Sequence, residues 1–278
     1  MAPNDMQNLK RAAVGMEIIK SGLRALWKIL YPLMVYYLSV FAVGVIFQTW
    51  GIQTNTTIDM ILPGAALTLA ILWFPYKRDW ILRQGLIKKP VPSPVPMWEH
   101  LVILGVAASI AGNIIISLTP LTQWFPAVEG AVAEIDAADW LQQVIGVCLI
   151  IPAAEEMVFR GIGYGGLRDE MGPAWAALFS ALFFGAFHGN LVQGIYAGLL
   201  GLILAFIMER YHSMTAVWLT HAATNVGSLY VLDGVLMRLI GNSLAALALV
   251  GLISLAVTVC EIRFIGRNMP SRRWKLIE

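Results

Sequence analysis

The sequence predicts an all-α polytopic membrane helical bundle with about eight transmembrane helices, and three observations carry that prediction. Of its 278 residues 58% are hydrophobic and 13% charged, with a mean hydropathy of +0.72; an ordinary soluble domain has roughly 25% charged residues. Eight apolar segments approach the ~20 residues that a bilayer crossing needs: about 29 to 50, 58 to 76, 100 to 119, 139 to 160, 173 to 189, 190 to 208, 213 to 232 and 235 to 262. An even count puts both termini on one side, and with that side cytoplasmic all but one of the 19 Lys and Arg residues fall where the positive-inside rule wants them. Arg238 is the exception.

Residues 1–28 form the first unit. Leu9, Ala13, Met16, Ile19, Leu23 and Leu26 recur at helical spacing between Lys10, Arg11, Lys20, Arg24 and Lys28, which predicts a basic amphipathic helix on an anionic membrane face. No compact apolar stretch with a small-residue cleavage site is present there, so no removable signal peptide is expected. The membrane domain covers 29–262, and a basic cytoplasmic tail covers 263–278. Between the second and third spans, the alternate prolines from Pro90 to Pro96 predict a stiff cytoplasmic spacer. The 120 to 140 loop carries Glu129, Glu134, Asp136 and Asp139 without a base and reads as a solvated outer loop, while Trp50, Trp80, Trp98, Trp124, Trp140 and Trp274 mark an interfacial belt. The expected location is an integral, multi-pass one with both termini cytoplasmic, in the plasma membrane if the source is a prokaryote.

Several function classes are excluded by composition. A net charge of +2 with no basic run interleaved with aromatics gives nucleic acid nothing to bind. Cys148 and Cys260 lie in apolar runs, without the spacing of a thiolate zinc site. The partners expected are the bilayer and a membrane-anchored peptide or protein, and no cofactor is called for.

Ionisable side chains in a membrane segment cost about 2.5–3.5 kcal/mol each, so they face the bundle interior and mark function. Here they gather between residues 155 and 225. Glu156 and Arg160, four apart on one helix face with the acid first, predict an ion pair. Glu155 points about 100° away, which leaves one carboxylate for chemistry. Phe184 and His188 share a face, as do His221 and Asn225. A carboxylate with an imidazole can deprotonate water, and a second imidazole with an amide can donate to an oxyanion. At 1.5 Å per residue Glu155 and His188 lie about 21 and 22 Å from the cytoplasmic end, His221 about 14 Å; tilt or a broken helix must close that gap.

Glu155-Glu156-x-x-x-Arg160, Phe184-x-x-x-His188 and His221-x-x-x-Asn225, in this order, resemble the CAAX-protease and bacteriocin-processing family of intramembrane endopeptidases over about residues 139–232. The resemblance implies about eight helices, Glu155 and His188 as the pair that activates water, His221 and Asn225 on the oxyanion side, and Glu156 with Arg160 as support. Family members cleave prenylated proteins or are linked to bacteriocin processing and immunity. Two other chemistries fit the residues. Glu155, His188 and His221 form a His₂Glu set for Zn²⁺, although no His-Glu-x-x-His helix is present. A proton-coupled carrier also buries Glu, Arg and His, but repeats and paired broken helices are missing. A non-catalytic immunity protein is the third option.

The remaining polar and small residues read as structure. Gly161 with Gly165, Gly185 with Gly189 and Gly194 with Gly198 are ridges for close helix packing. Asn190 and Gln193 are polar turn residues, and His100, His212, Asp233 and Arg238 are expected at solvated span edges.

Overall fold

The computed structural model describes the backbone of residues 3–86, 96–241 and 243–269, and the side chains of 13–82, 96–241 and 243–269. The proline spacer, apart from Pro96, and the tail beyond Met269 lie outside the described residues, as do the Lys10 and Arg11 side chains. Every element described is a helix. They are α1 (Pro3–Trp50), α2 (Ile58–Leu86), α3 (Trp98–Ser117) and two short outer-loop helices, α4 (Leu121–Trp124) and α5 (Ala127–Ala137). A single rod follows in which α and wider π turns alternate: π1 (Gln142–Ile150), α6 (Ile151–Glu156), π2 (Met157–Tyr164) and α7 (Gly165–Glu170). Then come α8 (Pro173–Phe187), α9 (Leu191–Tyr211), α10 (Met214–Val226) continuing as π3 (Gly227–Leu236) and α11 (Met237–Ile240), and α12 (Leu244–Asn268).

Five of these helices are long and apolar enough to cross a membrane: Ala13–Trp50, Ile58–Leu82, Trp98–Ser117, Leu191–Tyr211 and Leu244–Asn268. Their outward faces carry Phe41, Phe74, Leu199 and Leu252, all more than half exposed, a surface that water would not tolerate and lipid does. The other three apolar segments are helical in a different form. Two are the mixed α/π rods, and α8 has only 15 residues, about 22 Å and short of a full crossing. The molecule is thus an all-α integral membrane bundle.

The amphipathic N-terminal segment is not a separate unit in the backbone: α1 runs unbroken through residue 28 for 48 residues, about 72 Å. Arg24 donates to both carboxylate oxygens of Glu170 at 2.6 and 3.0 Å, and Lys28 to Asp79 at 3.2 Å. Two bases expected to meet lipid headgroups therefore anchor α1 to α7 and α2.

Small residues bring the helices together. A Cβ on Gly185 would stand 2.5 Å from the Gly194 carbonyl oxygen, and one on Gly105 2.4 Å from that of Thr220, so α8 meets α9 and α3 meets α10 backbone to backbone. Gly189 has another job than the ridge expected of it: its φ of +72° turns the chain between α8 and α9. Asn190 caps α9, its side-chain oxygen accepting from the Gln193 N–H at 2.8 Å. His212, expected at a solvated edge, is buried because it ends α9 in the left-handed conformation, at φ 48°, and turns the chain inward to α10. His100 pairs with Glu261 at 2.7 Å and stacks on Phe264, whereas Asp233 and Arg238 are exposed as expected.

Candidate functional site

The fully buried core side chains Arg160, Phe159 and Phe184 lie where α6, π2, α8, α9 and α10 meet, and the motif residues are there with them. Glu155 and Glu156 end α6, and the next residue, Met157, begins π2. Arg160 is inside π2, His188 terminates α8, and His221 and Asn225 lie on α10 just before π3. Two of the three π stretches therefore flank the site, and π turns recur at functional positions because they re-aim side chains within an otherwise regular helix.

One charged network, one ring and two carbonyls hold these side chains. Arg160 donates to Glu156 Oε1 at 3.1 Å. The same oxygen lies 2.7 Å from His221 Nδ1, which as an N–H donates to it. The opposite edge of that ring, Nε2, faces Glu155 Oε2 at 3.7 Å. Glu155, Glu156, Arg160 and His221 are all buried, which strengthens each charged contact. Phe184 stands in their midst. Its ring takes the Arg160 guanidinium carbon 4.2 Å from its centre and meets the His188 and His221 rings edge to face at 5.0 and 5.7 Å. His188 is half-buried and spends Nδ1–H on the Phe184 carbonyl at 2.9 Å, which leaves its Nε2 lone pair unspent. Asn225 donates through Nδ2 to the Val147 carbonyl at 2.8 Å, tying α10 to π1.

All six sequence-derived residues thus lie in one connected region, with differences of detail. The expected Glu156–Arg160 pair is present, but His221 shares it. Glu155 was expected to point away unaccompanied; it faces His221 instead, because an imidazole presents nitrogens on two edges and its ring spans the divergence between consecutive glutamates. The expected depth gap between Glu155 and His221 is absent, since the two side chains meet at 3.7 Å. Sequence reasoning did not find Ser180, whose hydroxyl donates to the Phe159 carbonyl at 2.9 Å, or Gly201, where a Cβ would stand 3.2 Å from Arg160 Nη2. A small residue and a serine in apolar helices carry no signal of their own. Among the described residues, no group of three or more His, Cys, Asp or Glu side chains is gathered to hold a metal ion.

Toward the α7 end of the same rod, Arg168 clasps Glu209 through Nε and Nη2 at 3.0 and 3.1 Å, and the Tyr164 hydroxyl donates to Glu209 at 2.7 Å. This fastens the rod to α9 below the site.

Residues 137–227 match the family model described as Type II CAAX prenyl endopeptidase Rce1-like. The match spans the three motifs and bears out the resemblance that they carry. No curated protein and no solved structure matches the chain.

Proposed function

We propose that the protein is an intramembrane endopeptidase that hydrolyses a peptide bond in a membrane-anchored peptide or protein. The observation that carries this reading is the pair of consecutive buried glutamates held at the two edges of one imidazole, with a second histidine against the same phenylalanine ring. A structural ion pair needs one of those carboxylates. The second, Glu155, is there for chemistry.

In this mechanism Glu155 takes a proton from water, and His188, whose Nε2 is unspent, orients that water. The water oxygen adds to the carbonyl carbon of the scissile bond, and the carbonyl π electrons move onto oxygen. The tetrahedral intermediate then collapses: the C–N bond breaks and the nitrogen leaves with the proton that Glu155 held. Glu156 with Arg160 fixes His221, and His221 with Asn225 faces the oxyanion side. The catalytic core is 139–232, with both termini cytoplasmic and a lipidated segment as one form of the substrate's anchor.

The test uses the full chain in proteoliposomes with a panel of fluorogenic membrane-anchored peptides. Cleavage by the wild type should fall at least about a hundredfold in Glu155→Gln and His188→Ala, with the unfolding midpoint retained. Cleavage that persists in Glu155→Gln sinks the mechanism. Inactivation by a chelator with rescue by Zn²⁺ would replace it with the metal chemistry, and ion movement without cleavage with the carrier.

A further inference from the structure

The chemistry proposed above needs hydrogen-bond donors for the oxyanion, and both expected donors are partly committed. His221 spends Nδ1–H on Glu156 and turns its other nitrogen toward Glu155. Asn225 spends one of its two N–H groups on Val147. One N–H therefore remains from the pair, where acyl-transfer sites ordinarily present two or more donors.

Helix α1 lies outside the family-matched stretch, yet it packs along π2 and reaches the site. Its Tyr36 is 4% exposed. The ring meets Phe187 edge to face at 5.1 Å, and Phe187 in turn meets His188 at 5.6 Å. The phenol is close enough to Glu155 for the carboxylate's charge to act on it. Although the Tyr36 ring is buried, its hydroxyl is not one of the enclosed polar atoms; it has no hydrogen-bond partner among the described residues and is accessible to donate. The neighbouring Tyr37 also touches the Phe187 ring, at 5.6 Å, but it is half exposed and its hydroxyl donates to the Phe187 carbonyl at 3.5 Å.

We infer that Tyr36 is a further catalytic residue, whose hydroxyl donates a hydrogen bond to the oxygen of the scissile carbonyl as it becomes an oxyanion beside Glu155. This rests on the endopeptidase reading. It also gives α1 a chemical part in the site, with a donor supplied from outside the three motifs. A phenol is well suited to the position, because it is rigid, brings its own apolar surface into the bilayer, and stays protonated while it donates.

The experiment compares Tyr36→Phe, which keeps the ring against Phe187, with Tyr37→Phe in full-length protein in proteoliposomes. Tyr36→Phe should lower kcat by about 10²–10³, as loss of one oxyanion donor does, with Tyr37→Phe near wild type. KM should stay within about threefold, because the bond forms only as charge develops. A kcat within about threefold of wild type, or a loss confined to KM, overturns the assignment. A binding arm works without turnover, using a membrane-anchored peptide phosphinate whose tetrahedral anionic centre stands in for the intermediate. Tyr36→Phe should bind it at least about tenfold more weakly while binding the parent peptide equally in a Glu155→Gln background. Equal phosphinate affinity in wild type and Tyr36→Phe refutes the donor role even if no peptide is ever cleaved. Cleavage that survives Glu155→Gln refutes the base and leaves the phosphinate comparison standing.

Discussion

Arg160→Met tests whether charge, rather than volume, holds the site together. The side chain is fully buried, donates to Glu156 at 3.1 Å and stacks on Phe184 at 4.2 Å. A hydrogen bond to a charged group contributes about 1.5–3 kcal/mol and a desolvated cation–π contact about 2 kcal/mol. Methionine fills similar space without either, so the variant should lose about 3.5–5 kcal/mol, in line with the cost of breaking a buried ion pair from one side. Much of that cost is Glu156 left charged, with His221 as its remaining partner. Adding Glu156→Gln should therefore return more than half of it, because the amide oxygen still accepts from His221 Nδ1–H and no buried charge is stranded. The assay is equilibrium denaturant unfolding in one detergent micelle for the wild type, both single variants and the double. A loss under about 1 kcal/mol in Arg160→Met, or a double variant no more stable than Arg160→Met, would refute the reasoning.

Three further outcomes follow from the packing and the α1–α7 contact. Gly201→Ala places a methyl 3.0 Å from Ala181 Cα and 3.2 Å from Arg160 Nη2; it should cost about 1–3 kcal/mol in the same unfolding assay and lower cleavage by displacing the guanidinium, and wild-type behaviour in both would disprove the contact. Gly185→Ala, 2.5 Å from a backbone oxygen on α9, should destabilise strongly, whereas Gly22→Ala, with nothing within 4 Å, should match or slightly exceed wild-type stability since alanine favours helix. The Arg24 hydrogen bonds hold the Glu170 carboxyl below the usual carboxylate range, a depressed folded-state value, so the α1–α7 tether is complete above that range and is lost only as pH falls through the lowered value. Spin labels on α1 and α7 should report separation there and not near neutrality; Glu170→Gln should separate them at every pH.

Legibility divides by mechanism. Helical periodicity placed Glu156 and Arg160 together, since four residues on one rod decide that contact whatever else the fold does. It also matched α3, α8 and α9 to within three residues at each end, but it began the last span nine residues before α12, which starts at Leu244. Contacts across helices were beyond it. Nothing in residues 155–160 says that His221, 65 residues downstream, shares an oxygen of Glu156, or that Tyr36 comes against Phe187. The π turns were equally invisible, because a wider turn has no composition of its own: Met157–Tyr164 reads as ordinary apolar helix. The boundary drawn at residue 28 leaves no mark on the α1 backbone for a related reason. A change from mixed to apolar sequence marks a change of surroundings, and a helix can pass through such a change without interruption when Arg24 and Lys28 find acids on α7 and α2.

The adjacency of Glu155 and Glu156 explains why one of them is available for chemistry. Two consecutive carboxylates on a regular helix diverge by about 100°, so one cation from the same helix serves only one of them. Arg160 sits within π2 and neutralises Glu156, and His221 then joins that pair through Nδ1. Glu155 faces Nε2 at 3.7 Å, beyond the ordinary length of a direct hydrogen bond. In the proposed mechanism it is therefore the carboxyl group left to accept a proton from water and return it to a leaving amine. Replacing His221 by a group that donates toward Glu155 would remove that freedom, even with every other residue of the three motifs in place.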